Sequence, residues 1–297
     1  MDVLIAGSVA YDSLKTPYGS VEDALGGSAT HAGISAALRC DNVGLLSRVG
    51  KDFKSTDVES LQRIGIDTSM IEIVDGITFR WKGEYEGDMS EARTLETSYN
   101  VLEGYSPRVD ITPQVLFCAN LDPRIQLHIL QEVKPTRCTI LDSMNLWINT
   151  ERNHLLKAMA MVDIVVINQM ELSMLTGEED LFIAHESLLK MIGDKIVIIK
   201  RGGDGVFAFI GNSTIELPAC NDVSPVDPTG CGDSFAGSLA AILSQRDGVI
   251  EFEELREALV KSTVNAGLTL EGMGCQRLLE IDLEDLSKRT EQHRSSI

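Results

Sequence analysis

Residues 227–237 have the sequence Asp-Pro-Thr-Gly-Cys-Gly-Asp-Ser-Phe-Ala-Gly. Asp227 precedes a proline, which disfavours helical backbone there, and apolar residues recur at helical spacing from Phe235 onward. This order is typical of a glycine-rich turn that leads into the N-terminus of a helix. Unpaired backbone N–H groups and the positive end of the helix dipole favour an anion at such a position. From the residues alone, Asp233 is either a helix-capping acid or a catalytic carboxylate.

The composition is that of a folded globular protein. The chain has 297 residues, of which 43% are hydrophobic and 24% are charged, and α/β folds reach this length as one unit. The formal net charge of −19 argues against nucleic acid or an anionic membrane surface as a partner. Six scattered cysteines, an acidic N-terminus and the lack of a long apolar run predict a cytoplasmic protein with free thiols.

Short apolar runs alternate with helical patterns along most of the chain. We predict strands at 3–6, 43–49, 115–119, 138–141, 164–167 and 195–200, and helices at 28–40, 56–64, 123–133, 151–161, 181–191, 233–245, 252–270 and 283–290. This alternation predicts an α/β fold, with a doubly wound, mainly parallel sheet covered by helices on both faces. We therefore expect a single domain over residues 1–297, with ligands bound beyond the carboxyl ends of the strands.

Two segments depart from this alternation. Residues 12–25 are polar and contain Pro17 and Gly19, and residues 77–100 alternate like strands with one exposed face. We interpret the two segments together as a small β lid, formed by about 12–25 and 77–100; the alternative is a surface hairpin without function. An exposed lid edge also predicts a homodimer formed through the lid.

The glycine-rich segment resembles the D-T-x-G-A-G-D signature of ribokinase-like (PfkB-type) carbohydrate kinases. The resemblance extends from Gly7 to Gly274, and Cys231 stands where the family usually has alanine. It implies an ATP-dependent kinase that uses Mg²⁺ and transfers the γ-phosphate to a hydroxyl of a sugar or, alternatively, of a nucleoside. The implied catalytic groups are Asp233 as the base and the backbone amides of Gly230, Cys231 and Gly232 as the anion hole.

Cys231 raises a separate hypothesis. A thiol in the first turn of a helix is reactive where its pKa is depressed. The alternative is a buried side chain that replaces alanine, and we favour this second interpretation.

The N-terminal part of the chain resembles the family's sugar-binding elements. Gly26-Gly27-Ser28-Ala29-Thr30-His31 is similar to its glycine pair, although ribokinases carry asparagine where this chain has His31. This change disfavours ribose itself, and a structural histidine is the alternative to a substrate contact. A solvated loop acid is likewise the alternative for Asp12. The implied substrate-binding residues are Asp12, Gly26, Gly27, Ser28, His31, Arg80 and Asn120, with Trp81 and Asn145 as weaker candidates.

Asn168-Gln169-Met170-Glu171 matches the N-x-x-E element of the family. An amide and a carboxylate one helical turn apart can hold the waters around Mg²⁺. The same spacing is also that of a capping box at the start of a helix. The spacing does not separate these alternatives, and the family resemblance favours the Mg²⁺ site.

Residues 200–205, Lys-Arg-Gly-Gly-Asp-Gly, follow a predicted strand and resemble the family's nucleotide loop. The resemblance implies that adenine lies beside the helix at 255–270. The implied nucleotide-binding residues are Lys200, Gly202, Gly205, Asn265 and Gly274. Asp227 and Thr229 are the implied ligands of a monovalent cation such as K⁺, although Leu278 stands where the family has a small polar residue.

Two functions from other classes stay open at this stage. One is a non-catalytic sensor of sugars or nucleotides on the same scaffold, which the intact Asp233 and glycine pair disfavour. The other is a nucleotide-dependent oxidoreductase, which the missing dinucleotide fingerprint disfavours.

Overall fold

The computed structural model describes residues 1–89 and 92–297, so Ser90 and Glu91 of the predicted lid segment lie outside the described residues. The strands are β1 (Val3–Ala6), β2 (Ala10–Thr16), β3 (Gly19–Gly26), β4 (Val43–Gly50), β5 (Ile66–Asp67), β6 (Ile71–Val74), β7 (Phe79–Tyr85), β8 (Ala92–Ser98), β9 (Val115–Cys118), β10 (Cys138–Asp142), β11 (Ile164–Asn168), β12 (Ile196–Lys200), β13 (Val206–Ile210) and β14 (Ser213–Leu217).

The helices connect these strands and complete the chain. They are α1 (Ser28–Ala37), α2 (Ser55–Arg63), α3 (Pro123–Glu132), α4 (Asn145–Thr150), α5 (Arg152–Met161), α6 (Gln169–Thr176), α7 (Leu181–Ile192), α8 (Cys231–Leu243), α9 (Phe252–Leu270), α10 (Gln276–Glu280) and α11 (Leu283–Ser295). None of the helices in residues 1–89 and 92–297 combines the length and the apolar character needed to cross a membrane.

The large sheet has the strand order β14-β13-β12-β11-β10-β9-β1-β4-β5, and β6 also pairs with β4. Strands β12 to β14 are joined antiparallel, with a tight turn at Gly211 between β13 and β14, and the other pairs are parallel. Because the carboxyl ends of the parallel strands reach the same edge of the sheet, residues that follow different strands come together there.

Both faces of this sheet are buried, as the β1 residues show. Val3 and Ile5 join a core cluster that includes residues of α1, α8 and α9. Leu4 and Ala6 point the opposite way and join a second cluster that includes residues of α3, α5 and α7. Alternate residues of a strand face opposite sides of a sheet, so a continuous apolar run is what a strand with two covered faces requires. The predicted α/β fold is confirmed.

A smaller sheet has the order β3-β2-β7-β8 and contains most of the predicted lid segments. Strands β2 and β7 pair in parallel, although 62 residues separate their last and first residues, Thr16 and Phe79. The structure thus joins residues 10–16, 19–26, 79–85 and 92–98 into one sheet. The use of this sheet as a lid and the dimer through it stay predictions.

Helices α1 and α8 pack in close contact where they cross, at Gly237. A Cβ atom at this position would lie only 2.1 Å from the carbonyl oxygen of Ala32. Helix α8 also begins at Cys231, two residues before the predicted start at 233. The crossing therefore sets the position of the first turn of α8, which carries Asp233, relative to the glycine pair that precedes α1.

Gly237→Ala should destabilise the protein by about 1–3 kcal/mol, because the added methyl group forces two close-packed helices apart. Chemical denaturation of the purified chain measures this change. Gly19→Ala is the control, since a Cβ at Gly19 has no neighbouring atom within 4 Å. Equal stability of Gly237→Ala and the wild type would contradict the proposed role of the crossing.

Candidate active site

A cleft of about 650 Å³ lies between the carboxyl edge of the large sheet and the small sheet. Polar residues at or just after the ends of five parallel strands line its floor: Ser8 after β1, Asn120 after β9, Asp142 in β10, Asn168 in β11 and Lys200 in β12. Residues of β7 and β8 in the small sheet line the opposite wall. The cleft thus occupies the position where parallel α/β sheets bind their ligands.

The first turn of α8 opens into this cleft. Its N-cap, Gly230, has a left-handed backbone with φ 75°, and a Cβ there would lie 2.2 Å from Nδ1 of His31. The helical ladder begins with the N–H of Ser234, which donates to the Gly230 carbonyl over 2.8 Å. The amides of Gly232 and Asp233 precede this bond and have no acceptor one turn earlier in the helix. They form an anion-binding helix terminus.

The structure changes one detail of the predicted anion hole. The N–H of Cys231 already donates to the carbonyl of Pro228 over 3.2 Å, so the available amides are shifted toward Asp233. Burial also raises the pKa of the Cys231 thiol, and the neighbouring Asp227 and Asp233 raise it further. The thiol is therefore kept protonated, which disfavours a reactive cysteine and favours a half-buried side chain in the place of alanine.

Four carboxylates and one lysine share the floor of the cleft. The Lys200 ammonium lies 2.8 Å from Oδ2 of Asp142 and 2.9 Å from the position of a Cβ on Gly232. Burial raises the pKa of Asp233 to about 7; the charge of Asp142 adds to this shift and that of Lys200 opposes it. Burial likewise raises the pKa of Glu171 to about 7, again with Lys200 opposing and Asp142 adding to the shift. The site therefore lacks positive charge.

Asp12 is the fourth carboxylate, and the glycine pair makes room for it. Its Oδ2 accepts a 3.1 Å hydrogen bond from the N–H of Gly27, and a Cβ on Gly26 would overlap the carboxylate. Burial raises the pKa of Asp12 to about 7, the bond from Gly27 lowers it, and the charge of Asp227 raises it. Asp12 is thus held inside the cleft and is not a solvated loop acid.

Asn168 and Glu171 form the capping box of α6. Oδ1 of Asn168 accepts from the N–H of Glu171, and Oε2 of Glu171 accepts from the N–H of Asn168, each over 2.8 Å. Both residues also line the cleft. The capping role and a role toward a cation are therefore compatible in this structure.

The shortage of positive charge fits a divalent cation bound with few direct protein ligands. No three His, Cys, Asp or Glu side chains within residues 1–89 and 92–297 converge to form a metal-binding group. Mg²⁺ is usually held by one or two carboxylates, several waters and the phosphates of its substrate. The acidic floor of the cleft provides such carboxylates.

Ser28 and Asn120 line the cleft and are also joined to the scaffold. The Ser28 hydroxyl donates to the Asn120 carbonyl over 2.9 Å and accepts from the N–H of Ser8 over 3.1 Å. The side-chain oxygen of Asn120 accepts from Nε1 of Trp147 over 2.9 Å. These bonds fix the polar floor relative to α4.

An aromatic row forms one wall of the cleft. The ring centroids of Phe79 and Tyr99 are 5.7 Å apart, and those of Tyr99 and Trp147 are 6.0 Å apart. Trp81 lines the same cleft from β7. A wall of adjoining rings beside a polar floor suits a ligand with one flat, unsaturated part and one hydroxylated part.

The sequence analysis missed several of these residues. Asp142 and Ser143 directly follow an apolar strand pattern, and an inspection of the residues after each predicted strand would have identified them. The Ser143 hydroxyl is buried, lines the cleft and has no hydrogen-bond partner within the described residues. The aromatic row and Tyr85 carried no comparable signal, because distant parts of the chain bring them together.

Arg80 and Asn265 are predicted binding residues that lie outside the cleft. Arg80 pairs with Asp23 and Asp52 and lies over the ring of Tyr11, so its charge is already neutralised in the small sheet. Asn265 is fully buried, where its amide donates to the Ser35 hydroxyl over 2.8 Å and its oxygen accepts from Arg39. Asn265 therefore joins α9 to α1 and does not face a ligand.

His31 lines the cleft, but its side chain is packed against other protein groups. It is 1% exposed, its ring packs against Gly230, and Sγ of Cys275 lies 3.5 Å from its Nδ1. Burial lowers its pKa to about 4, so the imidazole is neutral at physiological pH. Its main contact is with the turn that carries the anion-binding amides.

The residues predicted to bind the nucleotide and a monovalent cation do not form a single cluster in the structure. Lys200 lies in the main cleft, whereas Gly202 belongs to an exposed 3₁₀ turn, and the backbone at Gly205 packs against the carbonyl of Leu217. The buried carboxylate of Asp227 accepts from the N–H groups of Thr229 and Gly274 over 2.9 and 2.8 Å. It thereby links the α8 turn to Gly274.

A second cleft, of about 230 Å³, lies beside α9 on the loop that leads to the α8 turn. Val264, Gly267 and Leu268 of α9 line this cleft. Asn265 lies on the adjacent side of the same helix. Further along the same loop, the N–H groups of Val226 and Asp227 donate to the carbonyl of Leu270. The other residues that line this cleft are Cys220, Asn221, Asp222, Val223, Arg289, Gln292, His293 and Ser296.

Asp233→Asn should stabilise the protein at pH 8 by about 1–3 kcal/mol, as expected for removal of a charge from a buried acidic cluster. The folded chain holds protons on Asp12, Glu171 and Asp233 between about pH 4 and 7 that the unfolded chain releases. The contribution of these three carboxyl groups to stability is therefore lost as the pH rises through this range, and the gain from Asp233→Asn shrinks toward pH 5. Urea denaturation at both pH values measures this, with the exposed Asp247→Asn as the control. A destabilised Asp233→Asn variant at pH 8 would contradict the charge balance described above.

Comparisons with known proteins agree with this geometry. Residues 122–282 match the family described as pfkB family carbohydrate kinase. A cytidine kinase from Thermococcus kodakarensis is 32% identical over 275 residues, which cover 88% of this chain and 97% of that protein. The fold is similar to that of a nucleoside kinase from Methanocaldococcus jannaschii, with a TM-score of 0.80, 18% identity and 99% of each chain covered. It is also similar to that of a Burkholderia thailandensis nucleoside kinase in complex with ADP-inosine, with a TM-score of 0.81, 15% identity, and 99% of this chain and 96% of that one covered.

Proposed function

This chain belongs to the pfkB family of carbohydrate kinases, which are ATP-dependent phosphotransferases, and we propose that its acceptor is a nucleoside that is phosphorylated on a hydroxyl of its ribose. The observation that carries the proposal is the aromatic row Phe79–Tyr99–Trp147 in the same cleft as Asp12 and Asp233. Base–aromatic stacking contributes about 1–3 kcal/mol per base in proteins that bind nucleic acid, whereas a free sugar has no flat unsaturated ring to stack face to face on such a wall. The cytidine kinase that resembles this chain over 97% of its own length supports the same acceptor class.

The acidic floor of the cleft supports the remaining steps. Asp233 accepts the proton of the attacking hydroxyl, and the amides of Gly232 and Asp233 stabilise the charge on the transferring phosphoryl group. The Lys200 ammonium, which Asp142 holds beside Gly232, adds a positive charge at the same place. Asp12 and the N-terminal glycine pair hold the ribose hydroxyls.

A divalent cation, Mg²⁺, is part of the proposal. Glu171 and Asn168 hold it through water molecules, in agreement with their position in the cleft and with the shortage of positive charge there. When bound, the metal neutralises the phosphates of ATP. Potassium is not part of the proposal, because the carboxylate of Asp227 is buried and already bonded to two backbone amides.

We assign the adenine of ATP to the second cleft, beside α9. The loop from Cys220 to Pro228 joins that cleft to the turn that receives the phosphate. Val264, Gly267 and Leu268 supply an apolar surface for a purine on one side. This replaces the predicted contact with Asn265 by contacts with its neighbours on the same helix.

A panel of acceptors tests the proposed function. With ATP and Mg²⁺, at least one of cytidine, uridine, adenosine and inosine should give a kcat/KM at least about ten-fold above those of ribose and fructose, because stacking of the base adds to binding. Tyr99→Ala should remove most of this advantage, whereas Tyr99→Phe, which keeps the ring, should retain it. Equal or better use of a free sugar would show that the acceptor is a sugar and that the nucleoside proposal is wrong.

Asp233→Asn should lower kcat by about 10²–10⁴-fold while ATP still binds, because a positioned base is lost. The wild-type kcat/KM should fall as the pH drops below about 7, because the pKa of Asp233 is raised to that value and only the ionised form accepts a proton. Steady-state kinetics between pH 5.5 and 9, with ATP binding followed by calorimetry, measure both effects. Near-normal turnover by the variant would exclude Asp233 as the base.

A further inference from the structure

Tyr85 extends from the small sheet into the main cleft and contacts the α8 turn. It is near the C-terminal end of β7, and its hydroxyl oxygen lies 3.2 Å from Oγ1 of Thr229, which donates to it. Burial raises the pKa of Tyr85, the bond from Thr229 opposes this shift, and the nearby carboxylates of Asp227 and Asp12 add to it. The phenol is therefore neutral, and it reaches the turn from the opposite wall of the cleft.

Thr229 connects the Tyr85 phenol to the turn that precedes α8. It directly precedes Gly230, the N-cap of α8, and its N–H donates to Oδ1 of Asp227 over 2.9 Å. The other carboxylate oxygen of Asp227 holds the N–H of Gly274. The Thr229 backbone is thus fixed by a buried carboxylate, while its side chain is held by the small sheet.

The same strand also forms the wall that faces the acceptor. Phe79, Trp81 and Tyr85 occupy alternate positions of β7, and all three line the cleft. The pairing of β7 with β8 is irregular between Lys82 and Gly83, a position between the aromatic residues and Tyr85. The extra residue is Leu95 of β8, so β7 itself keeps its alternation as far as Tyr85. Strand β7 therefore contributes Phe79 and Trp81 to the aromatic wall of the cleft, and at its C-terminal end Tyr85 contacts the turn that precedes α8.

We infer that Tyr85 is a positioning residue that couples an acceptor under the small sheet to the alignment of the Gly230–Asp233 turn. The inference rests on the proposed phosphotransfer to a nucleoside. With the acceptor in place, β7 holds the Tyr85 hydroxyl against Thr229, and the amides and Asp233 are aligned for transfer. Without this contact the turn is less well aligned, and water competes with the acceptor for the phosphoryl group.

The experiment is a double-mutant cycle with Tyr85→Phe and Thr229→Val. Each variant should lower kcat for transfer by about three- to ten-fold, the size expected for one lost hydrogen bond. The nucleoside KM should change less than about three-fold, and the ratio of ATP hydrolysed to nucleoside phosphorylated should rise. The double variant should be no worse than the poorer single variant, because both changes remove the same contact.

Tyr11→Phe is the matched control. Tyr11 also belongs to the small sheet, and its buried hydroxyl bonds to Asp57 and to the N–H of Lys54, away from the cleft. This variant should leave the hydrolysis-to-transfer ratio unchanged, and thermal unfolding of every variant shows whether it is folded. A Tyr85→Phe enzyme with the wild-type ratio, or effects of the two changes that multiply in the double variant, would overturn the inference. Wild-type chain that fails to phosphorylate any nucleoside would overturn the proposed function itself, which separates the two failures.

Discussion

One ammonium group shared by several buried carboxylates is the constraint on which the site depends. Lys200 pairs directly with Asp142 and lies beside the first turn of α8, while Glu171 and Asp233 remain close enough to repel one another. Burial, together with the repulsion between carboxylates, raises the pKa of Glu171 and Asp233 in the free protein. In the function that we propose, the same carboxylates bind the cation and accept the proton of the substrate. The ionised carboxylates are needed for the proposed reaction, but their charges lower the stability of the folded protein.

The sheet topology brings these charges together. None of Asp142, Glu171 and Lys200 is a neighbour of another in sequence, but each lies at or near the carboxyl end of one of three adjacent parallel strands, β10, β11 and β12. The last strand residues Asn168 and Lys200 are direct partners in the β11–β12 ladder. The apolar residues that bury both faces of the sheet therefore also set the spacing of the polar residues at its edge.

The local parts of the site could be predicted from the sequence, because their geometry depends on nearby residues. Gly230 and Asp233 lie a few positions apart in one turn, and the Asn168–Glu171 spacing specifies its own hydrogen bonds. Asn265 shows where this approach fails. The helix over 252–270 was predicted correctly, but its rotation depends on packing against α1, and successive residues of a helix point about 100° apart. Asn265 consequently faces the core, and its neighbour Val264 faces the second cleft.

The capping box of α6 has a consequence for the Mg²⁺ binding that we propose. The two reciprocal hydrogen bonds order the side chains of Asn168 and Glu171 as soon as the helix forms. Their conformational entropy is lost during folding, so an arriving ion meets groups that are already immobile. Metal affinity and the integrity of α6 consequently share the same pair of bonds. Substitution of either residue would thus weaken both the proposed Mg²⁺ site and the N-terminus of α6.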